Sequence, residues 1–191
     1  MKMTNFEKIF VNNPFRSWQV SHYAEKMLKR TDFKIGQTYL DFGCGNGAAA
    51  INLATKYPLK ITGIDVDLDQ IRLAQQAGRH LANVRFIPVD GTRLPFDDGE
   101  FDIVYTNKVT HHIPNWLEAV AEMTRVVKPG GYLIYADLIV PSWLAQLGRR
   151  VMKQTGFPTG DGLEMLFRQR RLHPIYTAIT PVHYEVVLHK V

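Results

Sequence analysis

The chain has 191 residues, 46% of them hydrophobic, and a formal net charge of +5. That length and composition exclude a disordered chain and point to one globular domain with a sizeable core. The single cysteine, Cys44, excludes an internal disulfide, and the most apolar stretch, residues 132–147, is cut by Asp137 and Gln146 and is too short to span a bilayer.

Phe6, Ile9 and Phe10 fall on one helical face, and Asn12-Asn13-Pro14 then breaks the chain. A second helix is expected over residues 17–29, with Val20, Ala24, Met27 and Leu28 as its apolar stripe, and Gly36 closes the segment. Tyr39-Leu40-Asp41 reads as a strand running into Gly43, Gly45 and Gly47, followed by a helix-forming run from Ala48 to Lys56. Glycine lets a backbone turn sharply and lets a ligand come close to it. A helix start adds unpaired N–H groups and a partial positive charge. Such a strand, turn and helix suit a nucleotide-like ligand.

Residues 60–65 form the next expected strand. Asp67 and Gln70 then make a box-like start for a helix over residues 68–79. Strands follow at residues 84–89 and 101–106. Asn115 and Glu118 repeat the capping pattern before a helix over residues 116–127, which Lys128-Pro129-Gly130-Gly131 stops. A fifth strand covers residues 132–136, and helices are expected over residues 142–155 and 163–172. Residues 175–180 and 182–189 are β-rich runs separated by Pro181, so short a link that it allows only an antiparallel hairpin. The alternation of strands and helices implies an α/β, Rossmann-like, doubly wound sheet with helices on both faces. Counting the hairpin gives seven strands, mostly parallel, with an antiparallel last strand. Ligands in this class sit at the carboxyl ends of the strands.

The glycine loop alone is ambiguous. Gly43, Gly45 and Ala48 also fit the dinucleotide pattern G-x-G-x-x-G/A, and a turn that only reverses the chain is the plainest reading. Asp41 stands two residues before the first glycine, where an acid can face a cationic group on a ligand. Asp65 ends the second strand, where a carboxylate can accept from both hydroxyls of a ribose. That feature supports a nucleoside without distinguishing a dehydrogenase from other users of one.

Asp41-Phe42-Gly43-Cys44-Gly45-Asn46-Gly47 resembles the first motif of class I S-adenosylmethionine-dependent methyltransferases. Residues 94–102 (LPFDDGEFD), 107–115 (NKVTHHIPN) and 126–134 (VVKPGGYLI) resemble the small-molecule, methyltransferase type 11-like branch of that family. The resemblance covers residues 37–140. It implies a single domain over residues 1–191, with 1–36 as a helical lid, 37–140 as the cofactor-binding core and 141–191 as lid helices and a hairpin. The implied cofactor is S-adenosylmethionine, with S-adenosylhomocysteine as product. The residues implied to bind it are Asp41, Gly43, Cys44, Gly45, Gly47, Asp65, Val66, Gln70, Asp90, Gly91 and Asn107. Asp90 in particular would contact the adenine amino group. The family has no universal catalytic residue, because the methyl group is already activated and some acceptors arrive deprotonated. His111, His112 and Asp137 are candidates by position.

Several rival chemistries fail on particular residues. An EF-hand loop starting at Asp65 would need glycine where Gln70 stands and glutamate where Gln76 stands. His111-His112 lacks an H-E-x-x-H or cysteine partner, so no metal is expected, and the pair either shapes its loop or supplies a base. Thr106-Asn107-Lys108-Val109 does not match the N/D-P-P-Y/F of amino-group methylases of DNA and glutamine. Carbon-5 methylation of cytosine needs a cysteine in its own motif, and Cys44 lies in the glycine loop.

The acceptor is left open. A small molecule or lipid-like compound is the first reading, and a protein or RNA acceptor the second. A third is a cofactor-binding module without turnover, and the remote one an NAD(P)-binding oxidoreductase. Charge adds a hint. Residues 1–40 carry +4, residues 41–140 carry −3 and residues 141–191 carry +4. The basic ends are either solvated faces or contacts to an anionic partner. Arg149-Arg150, Arg168 and Arg171, near Trp143, Leu144, Leu147, Leu166 and Phe167, would suit an anionic, partly apolar acceptor, most of that apolar surface being expected to bury against the sheet. No specific nucleic acid and no transmembrane segment are expected. Met1 to Asn5 leads into no apolar run, so no secretory signal is expected and a reducing cytoplasm is the simplest home.

Overall fold

The computed structural model describes residues 13–191, with the backbone alone at Arg149 and Arg150. The helix expected from Phe6, Ile9 and Phe10 lies outside the described residues. Helix α1 runs Pro14–Leu28. Its start is the Asn13-Pro14 pair read above as a break: Asn13 Oδ1 accepts from the Phe15 N–H at 2.8 Å, and Pro14 opens the first turn. Proline is suited to that position because its missing N–H has no intrahelical partner to lose.

The remaining elements are β1 (Thr38–Phe42), α2 (Ala48–Lys56), β2 (Lys60–Asp65), α3 (Leu68–Gly78), β3 (Val84–Pro88), β4 (Phe101–Asn107), a 3₁₀ turn (Thr110–His112) and α4 (Trp116–Val126). They continue as β5 (Val127–Leu138), α5 (Ser142–Val151), α6 (Gly160–Gln169), β6 (Leu172–Thr180) and β7 (His183–Lys190). One seven-stranded sheet has the order β3-β2-β1-β4-β5-β7-β6. Only β7 runs against its neighbours, β5 and β6. The expected doubly wound sheet with an antiparallel last strand is therefore present.

Alternation along the strands sorts the core onto two faces. Leu40, Val104, Leu133, Val186 and Leu188 point to one side, where Trp116 and Met123 of α4 and Phe167 of α6 cover them. Tyr39, Ile103, Ile134 and Val187 point to the other, under Ala24, Met27 and Leu28 of α1 and Leu53 of α2. β1 pairs with β2 on one side and β4 on the other, so strand order reverses at β1. The crevice outside the carboxyl ends of β1 and β4 is the ligand position of such sheets.

Local departures from the expectation have local causes. Asn115 makes no capping bond to its helix; its Nδ2 donates to Glu118 Oε2 at 3.2 Å instead. Asp67 does cap α3, accepting from the Asp69 N–H, but Gln70 turns inward rather than closing a box. β5 starts at Val127, directly after α4, and the Lys128-Pro129-Gly130-Gly131 stop is absorbed as an irregularity in its pairing with β4. α6 starts at Gly160, because Thr159 Oγ1 accepts from the Gly162 N–H. α5 ends at Val151, and β6 begins at Leu172 and carries Pro174, which an edge strand tolerates. Among the described residues no helix is long and apolar enough to cross a membrane.

Candidate active site

A cavity of about 330 Å³ opens at the carboxyl ends of β1, β2 and β4. Its walls include Asp41, Gly43, Cys44, Gly45, Asp65, Val66, Gly91 and Asn107, all singled out in the sequence. The glycine loop is tied to β2 through Asp65: the Gly45 N–H donates to Asp65 Oδ2 and the Asp67 N–H to Asp65 Oδ1, each at 2.9 Å. Gly45 has φ +52°, and a Cβ there would meet only Gln70 Oε1 at 3.9 Å. That side of the loop faces open space. Gly47 is different: a Cβ would come within 2.8 Å of the Phe86 ring, so it serves packing and does not line the cavity.

Asp41 is 2% exposed, and its Oδ2 has no hydrogen-bond partner among the described residues. Burial, with the nearby Asp65 carboxylate adding to it, pushes the Asp41 pKa up to about 7. A carboxylate in that state gains from a cation brought close to it. Burial also raises Asp65, against the bonds from the Asp67 and Gly45 N–H groups. The Cys44 thiol is pushed well up by burial and then by Asp41 and Asp65, so it stays protonated and is no nucleophile. Gln70 is fully buried with both amide atoms unpartnered among the described residues, and its oxygen is the atom nearest the open side of Gly45. Asp90 behaves otherwise. It is exposed, its Oδ1 accepts from the Thr92 N–H and hydroxyl, and it does not line the cavity; its neighbour Gly91 does.

The opposite wall is built by the loop after β4. Lys108, Val109, His111, His112 and Ile113 line it, with Leu138 from the end of β5. The loop is held by one buried carboxylate. Asp137 Oδ2 accepts from the Val109 N–H at 3.0 Å, the Thr110 N–H at 2.6 Å and the Thr110 hydroxyl at 2.7 Å. Its Oδ1 accepts from the Leu138 N–H and faces His111 Nδ1 at 2.5 Å. Burial opposes the charge on Asp137, but the bonds from His111 and Thr110 outweigh it and hold the pKa below the ordinary value. In the neutral tautomer whose Nδ1 donates to Asp137, His111 presents Nε2 as an acceptor on the far side of the ring. The His112 ring lies 3.9 Å from that of His111, centroid to centroid. Asp137 itself does not line the cavity; it acts through the loop and through His111. No group of three or more metal-ligating side chains occurs among the described residues.

The sequence reading missed Arg16 and Val20, which α1 contributes to the cavity. α1 is placed there by Ser21, whose hydroxyl donates to the Ala48 carbonyl at 3.0 Å, and by Asn46 Nδ2, 3.4 Å from Ser17 Oγ. No short motif marks Arg16. Lys108 was readable as the residue just past a strand end. The expected lid at residues 141–191 does not line this cavity among the described residues. Arg168 is 83% exposed and sits 3.6 Å from Glu164, while Arg171 falls beyond the end of α6, so the two share no helical face. On α5, Trp143, Leu144 and Leu147 are exposed rather than buried against the sheet.

At one end the cavity offers a buried acid with an unpartnered oxygen, a glycine with open space beside it and a second carboxylate at the end of β2. These fit a cationic nucleoside such as S-adenosylmethionine. The family model described as a methyltransferase domain matches residues 40–135. The chain is 36% identical over 124 residues to a phthiotriol/phenolphthiotriol dimycocerosates methyltransferase of Mycobacterium tuberculosis, covering 62% of this chain and 46% of that protein. It is 34% identical over 143 residues to the O-methyltransferase rstn1 of Aspergillus nomiae, covering 70% and 63%. Among solved structures, the [4+2]-cyclase SpnF superposes with a TM-score of 0.70 at 26% identity, covering 83% of this chain and 60% of that one. The chain spans about half the length of the first curated relatives it matches. With a matched stretch that runs from β1 to β5 and carries the glycine loop, Asp65 and the His111 loop, the chain belongs to the methyltransferase-domain family.

Proposed function

We propose that the protein transfers the methyl group of S-adenosylmethionine to a small-molecule acceptor. The observation that carries this reading is Asp41: a buried carboxylate with an unpartnered oxygen beside the glycine loop asks for a cation, which a dinucleotide's pyrophosphate cannot supply. In this reading Asp41 faces the positive amino-acid end of the cofactor, Asp65 takes the ribose hydroxyls, and Gly91 and Asn107 border the base. The cofactor, when bound, supplies an electrophilic methyl group for in-line displacement.

The chain's own residues then have three tasks. Holding the two reactants in line supplies much of the rate. The walls formed by Val20, Val109, Ile113 and Leu138 exclude water from the acceptor side. His111 Nε2 accepts the acceptor's proton, and Asp137 fixes the ring and stabilises the charge it gains. A relative named as a phthiotriol/phenolphthiotriol dimycocerosates methyltransferase and another named as an O-methyltransferase support a hydroxyl-bearing, partly apolar acceptor.

The test is incubation with methyl-labelled cofactor and fractionated cell extract. Label should enter the small-molecule fraction. Label in protein or RNA would replace the acceptor class. The likeness to a [4+2]-cyclase favours a second reading, in which the same cavity shapes a substrate without methyl transfer. Cofactor binding with no labelled fraction would select it.

A further inference from the structure

The cavity is chemically divided. Its carboxylates, Asp41, Asp65 and Asp67, all lie on the β1 and β2 side. On the side of the His111 loop the lining residues include no acid, and Asp137 behind them has both oxygens engaged. Two cations line the cavity, Lys108 on that loop and Arg16 on α1. Neither has an ion-pair partner among the described residues.

The backbone at Lys108 is unusual. Its φ is +58°, a left-handed conformation that a long side chain adopts at a cost. The conformation is imposed from both sides: the Lys108 N–H donates to the Ala136 carbonyl at 2.8 Å, and the next two N–H groups donate to Asp137. Strain retained in this way concentrates at functional sites. Next to Lys108 the wall is apolar, with Val109, Ile113 and Leu138, the last 43% exposed.

We propose that Lys108 and Arg16 bind the acidic head of the acceptor, a carboxylate or phosphate, while Val109, Ile113 and Leu138 take its apolar body. This rests on the methyltransferase reading for the word acceptor, but the charge preference itself is a property of the cavity. Arginine and lysine bring different strengths: the first a planar fork for two oxygens, the second a point charge. The cofactor also ends in a carboxylate, so the same pair could serve that group instead, and the experiment separates the two.

The probes are 4-phenylbutyrate and its neutral amide, titrated calorimetrically at low salt into protein with and without saturating S-adenosylhomocysteine. The acid should bind about tenfold tighter than the amide, as a charge-assisted pair implies. Added salt should shrink the difference. Lys108→Asn suits the left-handed backbone, so the variant should fold, and it should bring the two probes to within about twofold of each other. Lys108→Arg should keep the preference, and Arg16→Gln should weaken it. Arg168→Gln, on the exposed face of α6, should change nothing. Equal binding of the probes, no binding of either, or a preference that survives Lys108→Asn would overturn the proposal. So would a loss of S-adenosylhomocysteine affinity in Arg16→Gln and Lys108→Asn with the preference intact, which would assign the cations to the cofactor. Failure of wild-type protein to bind S-adenosylhomocysteine at all would sink the cofactor reading, while the titrations without it would still decide the charge preference.

Discussion

His111 Nδ1 lies 2.5 Å from Asp137 Oδ1, across 26 residues of sequence, and the same carboxylate holds the backbone of Val109 and Thr110. One acid thus does two jobs, and the two can be separated. His111→Ala should lower turnover by about 10²–10⁴, the range of general base catalysis, while cofactor affinity holds. Asp137→Asn should cost roughly 2–4 kcal/mol of stability, because its amide would face N–H groups that need an acceptor. The folded pKa of Asp137 lies below its unfolded value of 3.8. Its contribution is therefore full above that value and is lost as pH falls through the folded one. Urea titrations of both proteins against pH check this; the gap between them should close only in acid.

The glycines of the loop should fail in different ways. Gly45→Val puts a side chain into open cavity space at φ +52°, so cofactor affinity should collapse with a modest cost in stability. Gly47→Ala brings a methyl against Phe86 and Ala74, so thermal stability should fall by about 1–3 kcal/mol. Calorimetric affinity and melting temperature, measured on both variants, separate the two roles.

A third expectation concerns how α1 is fastened. The Tyr23 hydroxyl donates to Glu185 Oε2 at 2.7 Å, joining α1 to β7. Burial first, then Glu185, raises the Tyr23 pKa, so the phenol stays a donor across the working range. Glu185→Ala leaves that hydroxyl half-buried without its acceptor, at a cost of about 1–3 kcal/mol. Since α1 carries Arg16 and Val20 to the cavity, limited proteolysis within α1 should quicken while the sheet stays resistant.

The fold was largely legible because its signals are local. Alternating strands, the Gly43-x-Gly45-x-Gly47 turn and the Pro181 hairpin each declare themselves within ten residues or so. One end of the cavity was legible for the same reason, since Asp41, Gly43, Gly45 and Asp65, which line it, stand at or just past the carboxyl ends of β1 and β2. What escaped depends on distant partners. Nothing near His111 announces Asp137, which meets it only because β4 and β5 are adjacent in the sheet. Arg16 enters through the docking of α1 on α2. Asp90-Gly91-Thr92 carries a local signal of its own: a short acid before Gly-Thr readily folds back on the threonine, and Asp90 Oδ1 accepts from both the Thr92 N–H and hydroxyl.

Asp41 also predicts a stability profile. Its folded pKa of about 7 lies above the unfolded value of 3.8, so its contribution is best below the lower value and is lost as pH rises through the upper one. Asp41→Asn should therefore melt higher than wild type at pH 8 without ligand, by on the order of 3 kcal/mol, and show no advantage at pH 4. Scanning calorimetry at the two pH values checks it.

The most direct measurement of the central claim is the binding of S-adenosylmethionine and S-adenosylhomocysteine, titrated calorimetrically from about pH 5.5 to 8 in buffers of different ionisation heat. A cation seated on Asp41 requires the ionised carboxylate, so affinity should rise by up to about tenfold per pH unit below 7 and level off above it, with a proton released on binding. Asp41→Asn should bind more weakly with a flat profile, and NAD should give no heat. Tight NAD binding with silence toward both sulfur ligands, or equal, pH-independent affinity in wild type and Asp41→Asn, would contradict the assignment of this cavity to a cationic nucleoside.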